Sequence, residues 1–149
     1  MRPMTGRVLG IDVGERRIGL AISDPTRTLA RPLLTLTVAG SDEAVTRVAS
    51  EIARLAQEEE GGIAAIVVGL PLRLDGSPTG QTRNVEAFVA ALRTRTSVPI
   101  VHEDERLTSR EAESRLAERE RDWRRRKARL DAAAAAIILQ DYLDRRGAG

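Results

Sequence analysis

Val8-Leu9-Gly10-Ile11-Asp12-Val13-Gly14 is an apolar run broken by a single carboxylate. Its other side chains are aliphatic or absent, so the run reads as a β-strand buried on both faces. Aspartate is depleted in strands, and an unpaired buried carboxylate is costly. A carboxylate tolerated there has a cation to meet, and the chain then reads as an enzyme with a metal-binding acidic centre. The same residues also suit a turn, because Asp-x-Gly favours bends and Gly14 follows closely. Two acidic sites further along weigh toward the functional reading.

Outward from that run, Arg7–Val13 and Ile18–Ser23 form two strands joined by the short turn Gly14-Glu15-Arg16-Arg17, a hairpin signature. Leu33–Val38 is a third strand. Ser41 is placed to cap a helix whose apolar positions Val45, Val48, Ile52 and Leu55 keep helical spacing, with Gly61-Gly62 ending it. Ala64–Gly69 is a short continuous apolar strand, and Leu70–Gly80 is a loop rich in Pro and Gly. Val85, Phe88, Val89 and Leu92 recur at i, i+3, i+4 and i+7, which marks a second helix. Val98–Glu103 is a fifth strand. Thr108-Ser109-Arg110-Glu111 has the spacing of a capping box and predicts a third helix. Leu130–Leu143 predicts a last one.

Three leading strands make an antiparallel meander, and the later strands, reached through helices, run parallel to the first. The expected architecture is a three-layer α/β domain: a mixed five-stranded sheet flanked by helices. With no repeat, linker or composition break, residues 1–149 are expected to form one domain.

At 42% hydrophobic and 31% charged, the composition is that of a soluble globular protein. No apolar run approaches the roughly 18 residues that span a bilayer, and Met1–Gly6 lacks the apolar core of a signal peptide. There is no cysteine, which excludes disulfides, thiolate metal sites and cysteine nucleophiles. The expected location is the cytoplasm. The formal charge is +2 and the pI about 9.9. The two agree because nearly all the positive charge is arginine, which does not titrate in this range. The distribution says more than the sum. Arg106–Arg129 holds ten Arg/Lys against five Asp/Glu, whereas Ser41–Glu60 holds two arginines against six acids.

Three acidic sites stand out: Asp12 near the end of the first strand, Asp104-Glu105 after the fifth, and Asp131 at the opening of the last helix. Functional sites in α/β sheets gather at the carboxyl ends of parallel strands. If strands one and five are parallel, Asp12 and Glu105 share an edge, and a helix crossing it adds Asp131. Three carboxylates without a histidine or cysteine cluster suit a hard cation, Mg²⁺ or Mn²⁺. The matching chemistry is two-metal phosphodiester hydrolysis. Taken singly, Glu105 also suits a helix first turn and Asp131 an N-cap. His102 suits an exposed strand end.

These residues fall into four blocks: Gly10-Ile11-Asp12-Val13-Gly14 with Arg17-Ile18-Gly19; Val68-Gly69-Leu70-Pro71 followed by Asp75-Gly76; Asp104-Glu105-Arg106-Leu107-Thr108; and Asp131-Ala132-Ala133-Ala134-Ala135 followed by Ile138-Leu139-Gln140. In this order they resemble the YqgF family of RNase H-like proteins, also called the RuvX or pre-16S rRNA nuclease family, over nearly the whole chain. The resemblance implies an RNase H-like fold and a role in maturing the 5′ end of 16S ribosomal RNA. It implies Asp12, Glu105 and Asp131 as the catalytic, metal-holding acids. The chain departs from the family pattern at Ser109, where a second threonine is common, and in the arginine-rich segment before Asp131.

That segment, Arg124-Arg125-Arg126-Lys127 with Arg129, is a candidate phosphate contact because it adjoins Asp131. Arg106, Arg16 and Arg17 of the first turn, and Arg73 and Arg83 around the 70–80 loop are further candidates for nucleic-acid binding. Trp123 suits either a base platform or the core. With only Phe88 and Tyr142 besides, contact is expected to be to phosphates and RNA shape rather than by broad base stacking. The expected partner is precursor ribosomal RNA and the expected assembly a monomer or homodimer. The competing functions are a Holliday-junction resolvase, which must be dimeric to cut two strands symmetrically, and a non-catalytic RNA-binding factor. An ATPase of the actin and sugar-kinase type shares the Asp-x-Gly strand end, but it needs two domains.

Overall fold

The opening run is a strand in the computed structural model, which describes residues 6–59, 61–105 and 130–148. The elements are β1 (Arg7–Val13), β2 (Arg17–Ser23), β3 (Ala30–Thr37), α1 (Ser41–Glu58), β4 (Ile63–Leu70), α2 (Gly80–Arg93), β5 (Ile100–Asp104) and α3 (Leu130–Ala148). The strands form one sheet in the order β3-β2-β1-β4-β5. β1–β2 and β2–β3 are antiparallel; β1–β4 and β4–β5 are parallel. This is the expected meander followed by parallel strands. The helix expected from Thr108 lies outside the described residues.

Alternation along each strand sorts the core into two layers. Leu9 and Ile11 of β1 face one way, with Ile66 and Val68 of β4, against Val48, Ile52 and Leu55 of α1 and Val85, Phe88, Val89 and Leu92 of α2. Val8 of β1 and Ala65 and Val67 of β4 face the other way, against Ala135, Ala136, Ile138, Leu139 and Leu143 of α3. Each buried aliphatic side chain contributes about 1.5–3 kcal/mol. The α3 layer depends on small residues. A methyl on Gly10 would stand 2.8 Å from Leu139 Cβ and 3.1 Å from the Ala135 carbonyl oxygen. Glycine there is what lets the alanine face of α3 approach β1.

Three local expectations are corrected. Ser41 is not the cap of α1 but its first residue. The N-cap is Gly40, without a side-chain cap bond, and Glu43 Oε2 instead accepts from the Ala39 N–H at 2.9 Å. β5 starts at Ile100 rather than Val98, because Pro99 has no N–H to give to the ladder. α3 begins at Leu130, as expected, but runs five residues past Leu143, to Ala148.

Candidate active site

Alternation places Asp12 on the α3 side of the sheet, the side of Val8 and Gly10. It lies at the carboxyl end of β1, paired with Gly19 of β2. On β4 the same side ends in Gly69. On β5 it carries Glu103, which is buried and bound at 3.1 Å by Arg145 of α3. Two residues on, Glu105 takes the same side. Its carboxyl lies over Gly69, where a methyl would stand 2.7 Å from Glu105 Oε1 and 2.6 Å from Ile138 Cδ1. β1, β4 and β5 are consecutive parallel neighbours, so Asp12 and Glu105 flank a bare glycine at one sheet edge.

The two carboxyls meet. Burial pushes Glu105 up to about 7, and the Asp12 charge, a hydrogen bond to Asp12 and the Asp104 charge act the same way. Below about pH 7 Glu105 holds the proton that this bond needs, so that Glu105 donates and Asp12 accepts. Among the described residues no group of three or more acids or histidines is arranged to hold a metal ion. The third expected acid, Asp131, falls in the first turn of α3, and its side chain is outside the described residues. A half-buried carboxyl pair sharing one proton is a donor set that fits a hard divalent cation, since a cation in place of the proton would satisfy both charges.

α3 is held in position by polar bonds that the sequence did not announce. Arg145 bridges Glu103 and Asp141, tying the far end of α3 to β5. Burial pushes Glu103 up, Arg145 opposes this, and Asp141 and Asp104 reinforce it. Gln140 is buried; its Oε1 accepts from the Ala30 N–H and its Nε2 donates to the Thr28 carbonyl, both at 2.9 Å. These bonds fix the helix whose first turn carries Asp131.

Of the expected cationic residues, Arg17 is exposed on the Asp12 side by alternation, and Arg16 is exposed in the adjoining turn. Arg73 is exposed in the loop after β4. Arg83 is exposed on α2, which packs on the opposite face. Arg106, Arg124, Arg125, Arg126, Lys127, Arg129 and Trp123 lie outside the described residues. His102 is exposed in β5, as expected. A cleft of about 390 Å³ opens between α1 and α2, lined by Glu15, Asp42, Gln81 and Asn84 among others. It lies on the α1–α2 side of the sheet, the face opposite the carboxyl pair.

A mixed five-stranded sheet with two acids converging at the ends of β1 and β5 defines the class: an RNase H-like nuclease domain. The solved RuvC of T. thermophilus, in complex with a Holliday junction substrate, shares this fold. It has a TM-score of 0.62 and 16% identity, with 95% of each chain covered. The family model described as RuvX, Holliday junction resolvase, matches residues 6–145, and the chain belongs to that family. A Roseiflexus sp. (strain RS-1) protein named "Putative pre-16S rRNA nuclease" is 44% identical over 93% of this chain and 94% of its own. A Maridesulfovibrio salexigens protein of the same name is 45% identical over 93% of this chain and 98% of its own.

Proposed function

We propose that this chain hydrolyses phosphodiester bonds of precursor 16S ribosomal RNA, with Asp12, Glu105 and Asp131 holding Mg²⁺ or Mn²⁺. The observation that carries the reading is the Asp12–Glu105 contact over Gly69, in a chain whose relatives bear that name. A bound divalent cation supplies Lewis-acid stabilisation at the scissile phosphate and acidifies a water. Ligation needs both carboxyls ionised, so Glu105 gives up the proton that it shares with Asp12. Gly69 keeps the floor between them open. Arg17, on the Asp12 side, and Arg73, beside the end of β4, bind phosphates flanking the reacting one. The chain acts in the cytoplasm as a monomer or homodimer, and no helix among the described residues is long and apolar enough to cross a membrane.

The description of the family model favours a second reading, a resolvase of four-way DNA junctions. One experiment tests both. A precursor 16S fragment and a four-way DNA junction are incubated with the protein, with and without Mn²⁺, beside Asp12→Asn and Glu105→Gln. Cation-dependent cutting of the RNA alone, lost in both variants, is the expected result. Cutting of the junction alone replaces the first reading by the second. Full activity in both variants overturns the site.

A further inference from the structure

Leu74 is 93% exposed, a leucine that contributes nothing to the core. It stands on a turn built to hold it. The Arg73 N–H donates to the Ser77 carbonyl at 3.0 Å and the Gly76 N–H to the Arg73 carbonyl at 2.8 Å. Asp75 Oδ1 accepts from the Ser77 N–H at 2.9 Å and from its hydroxyl at 2.6 Å. Leu72 and Pro78 pair across the base, and Gly76 supplies the left-handed φ of 90°. Below, the Thr82 hydroxyl donates to the Pro71 carbonyl, which ties the turn to the capped start of α2. A single exposed leucine is ordinary; here the turn that carries one is closed by four hydrogen bonds.

The turn leaves β4 directly after Gly69, the residue beneath Glu105. Five residues of extended chain reach at most about 17 Å, so Leu74 lies within that distance of Gly69, about the length of five stacked nucleotides. Exposed Arg73 adjoins it, a cation for the backbone next to an apolar tip. A ligand that offers phosphate to Arg73 and an apolar face to Leu74 is a nucleic acid with a base unstacked from its neighbour. Such wedges are a known device for opening base steps.

We propose that Leu74 is an apolar wedge that packs against an unstacked base where duplex RNA meets single strand, near the cleavage position. The inference rests on the nuclease reading for its substrate and deepens it: the turn selects a junction rather than a sequence. The test is run without divalent cations, so it reads binding and not cutting. The probe is an RNA duplex with a single-stranded extension, carrying 2-aminopurine at the junction nucleotide. At saturation the wild type raises its emission at least about twofold, as expected of an unstacked base. Leu74→Ser loses most of that rise and binds the junction about five- to tenfold more weakly, with the salt dependence unchanged. Leu74→Met keeps both. Because the side chain is exposed, no variant is endangered in folding. Emission and affinity in Leu74→Ser equal to wild type would overturn the wedge and assign Leu74 to some contact other than RNA. Loss of the salt slope along with affinity would also overturn it, showing a disturbed Arg73 instead. If wild type opens the junction but never cuts RNA with Mn²⁺ added, the nuclease reading fails and the wedge stands.

Discussion

The Glu105 carboxyl rests on Gly69, so closely that a methyl on the glycine would stand 2.7 Å from Oε1 and 3.2 Å from Cγ. The atoms in the way are the ends of flexible side chains, Glu105 and Ile138, which can move aside. Gly69→Ala should therefore leave the fold standing, within about 1 kcal/mol, since Gly→Ala also stiffens the unfolded chain. It should displace Glu105 and lower cleavage by roughly a hundredfold. Gly10→Ala is the opposite case. Its methyl meets the Leu139 Cβ and the Ala135 backbone oxygen, which cannot step aside, and stability should fall by roughly 1–3 kcal/mol. Thermal melts and cleavage rates on the two variants check the pair. A Gly69→Ala protein that cuts normally would mean that Glu105 is not held where its chemistry requires.

The same carboxyl predicts a pH dependence. Its folded value, about 7, lies above the ordinary 4.5, so the folded state holds the proton more tightly than the unfolded one. The resulting stabilisation is complete below about pH 4.5 and is lost as pH rises through about 7. Urea midpoints of the cation-free wild type should fall across that window. Glu105→Gln, which cannot ionise, should remove this component. Added Mn²⁺ should stabilise the wild type more at pH 8 than at pH 5, because ligation competes with the proton. Equal pH slopes in wild type and Glu105→Gln would contradict the assignment.

Arg17 and Arg73 should bind rather than cut. Replacing either by alanine should lower the slope of log K against log salt by roughly 0.7–0.9, one phosphate contact each. Arg83, on the far layer with α2, should change neither the slope nor the rate. Titrations of an RNA fragment at several salt concentrations separate these outcomes.

β1 was legible residue for residue, because an apolar run of that length reads as a buried strand; the turn that Asp-x-Gly also allowed begins only after Val13. β3 was not. It begins at Ala30, before Pro32, where sequence reasoning starts the strand only at Leu33. An edge strand tolerates proline, and its pairing with β2 continues to Ser23 through a bulge at Leu20/Ala21. That Asp12 and Glu105 would share a sheet edge was legible from their places at the ends of the first and fifth strands; taken singly, Glu105 also suited a helix first turn, and its catalytic role was implied by the family resemblance. The Glu103–Arg145–Asp141 cluster and the Gln140 bridge were not legible. Pairings across tens of residues leave no periodic trace, and one charged residue in a helix looks like another until the sheet has placed it. Gln140 belonged to a family block, but the block did not disclose that its amide would bind the start of β3.

Asp104 and Glu105 are neighbours in sequence with opposite prospects. Asp104 is the last residue of β5 and pairs with Leu70 of β4; Glu105 is the first beyond it. Side chains alternate, and Glu103 fixes the phase, because Arg145 of α3 binds it on the α3 side. Glu105 therefore joins Asp12, and Asp104 turns to the other face, acting on Glu105 only through its charge. Asp104→Asn should keep substantial cation-dependent cleavage, within about tenfold of wild type. Glu105→Gln should lose at least about a hundredfold, in line with removal of a group that acts at the reacting centre. The Asp104 charge helps to raise the Glu105 value, so Asp104→Asn should also shift the pH profile of cleavage slightly to the acid side. Cleavage profiles of both variants over a common Mn²⁺ titration decide the matter. A dead Asp104→Asn beside an active Glu105→Gln would put the catalytic carboxylate on the other face of β5 and leave the Asp12–Glu105 contact without a role.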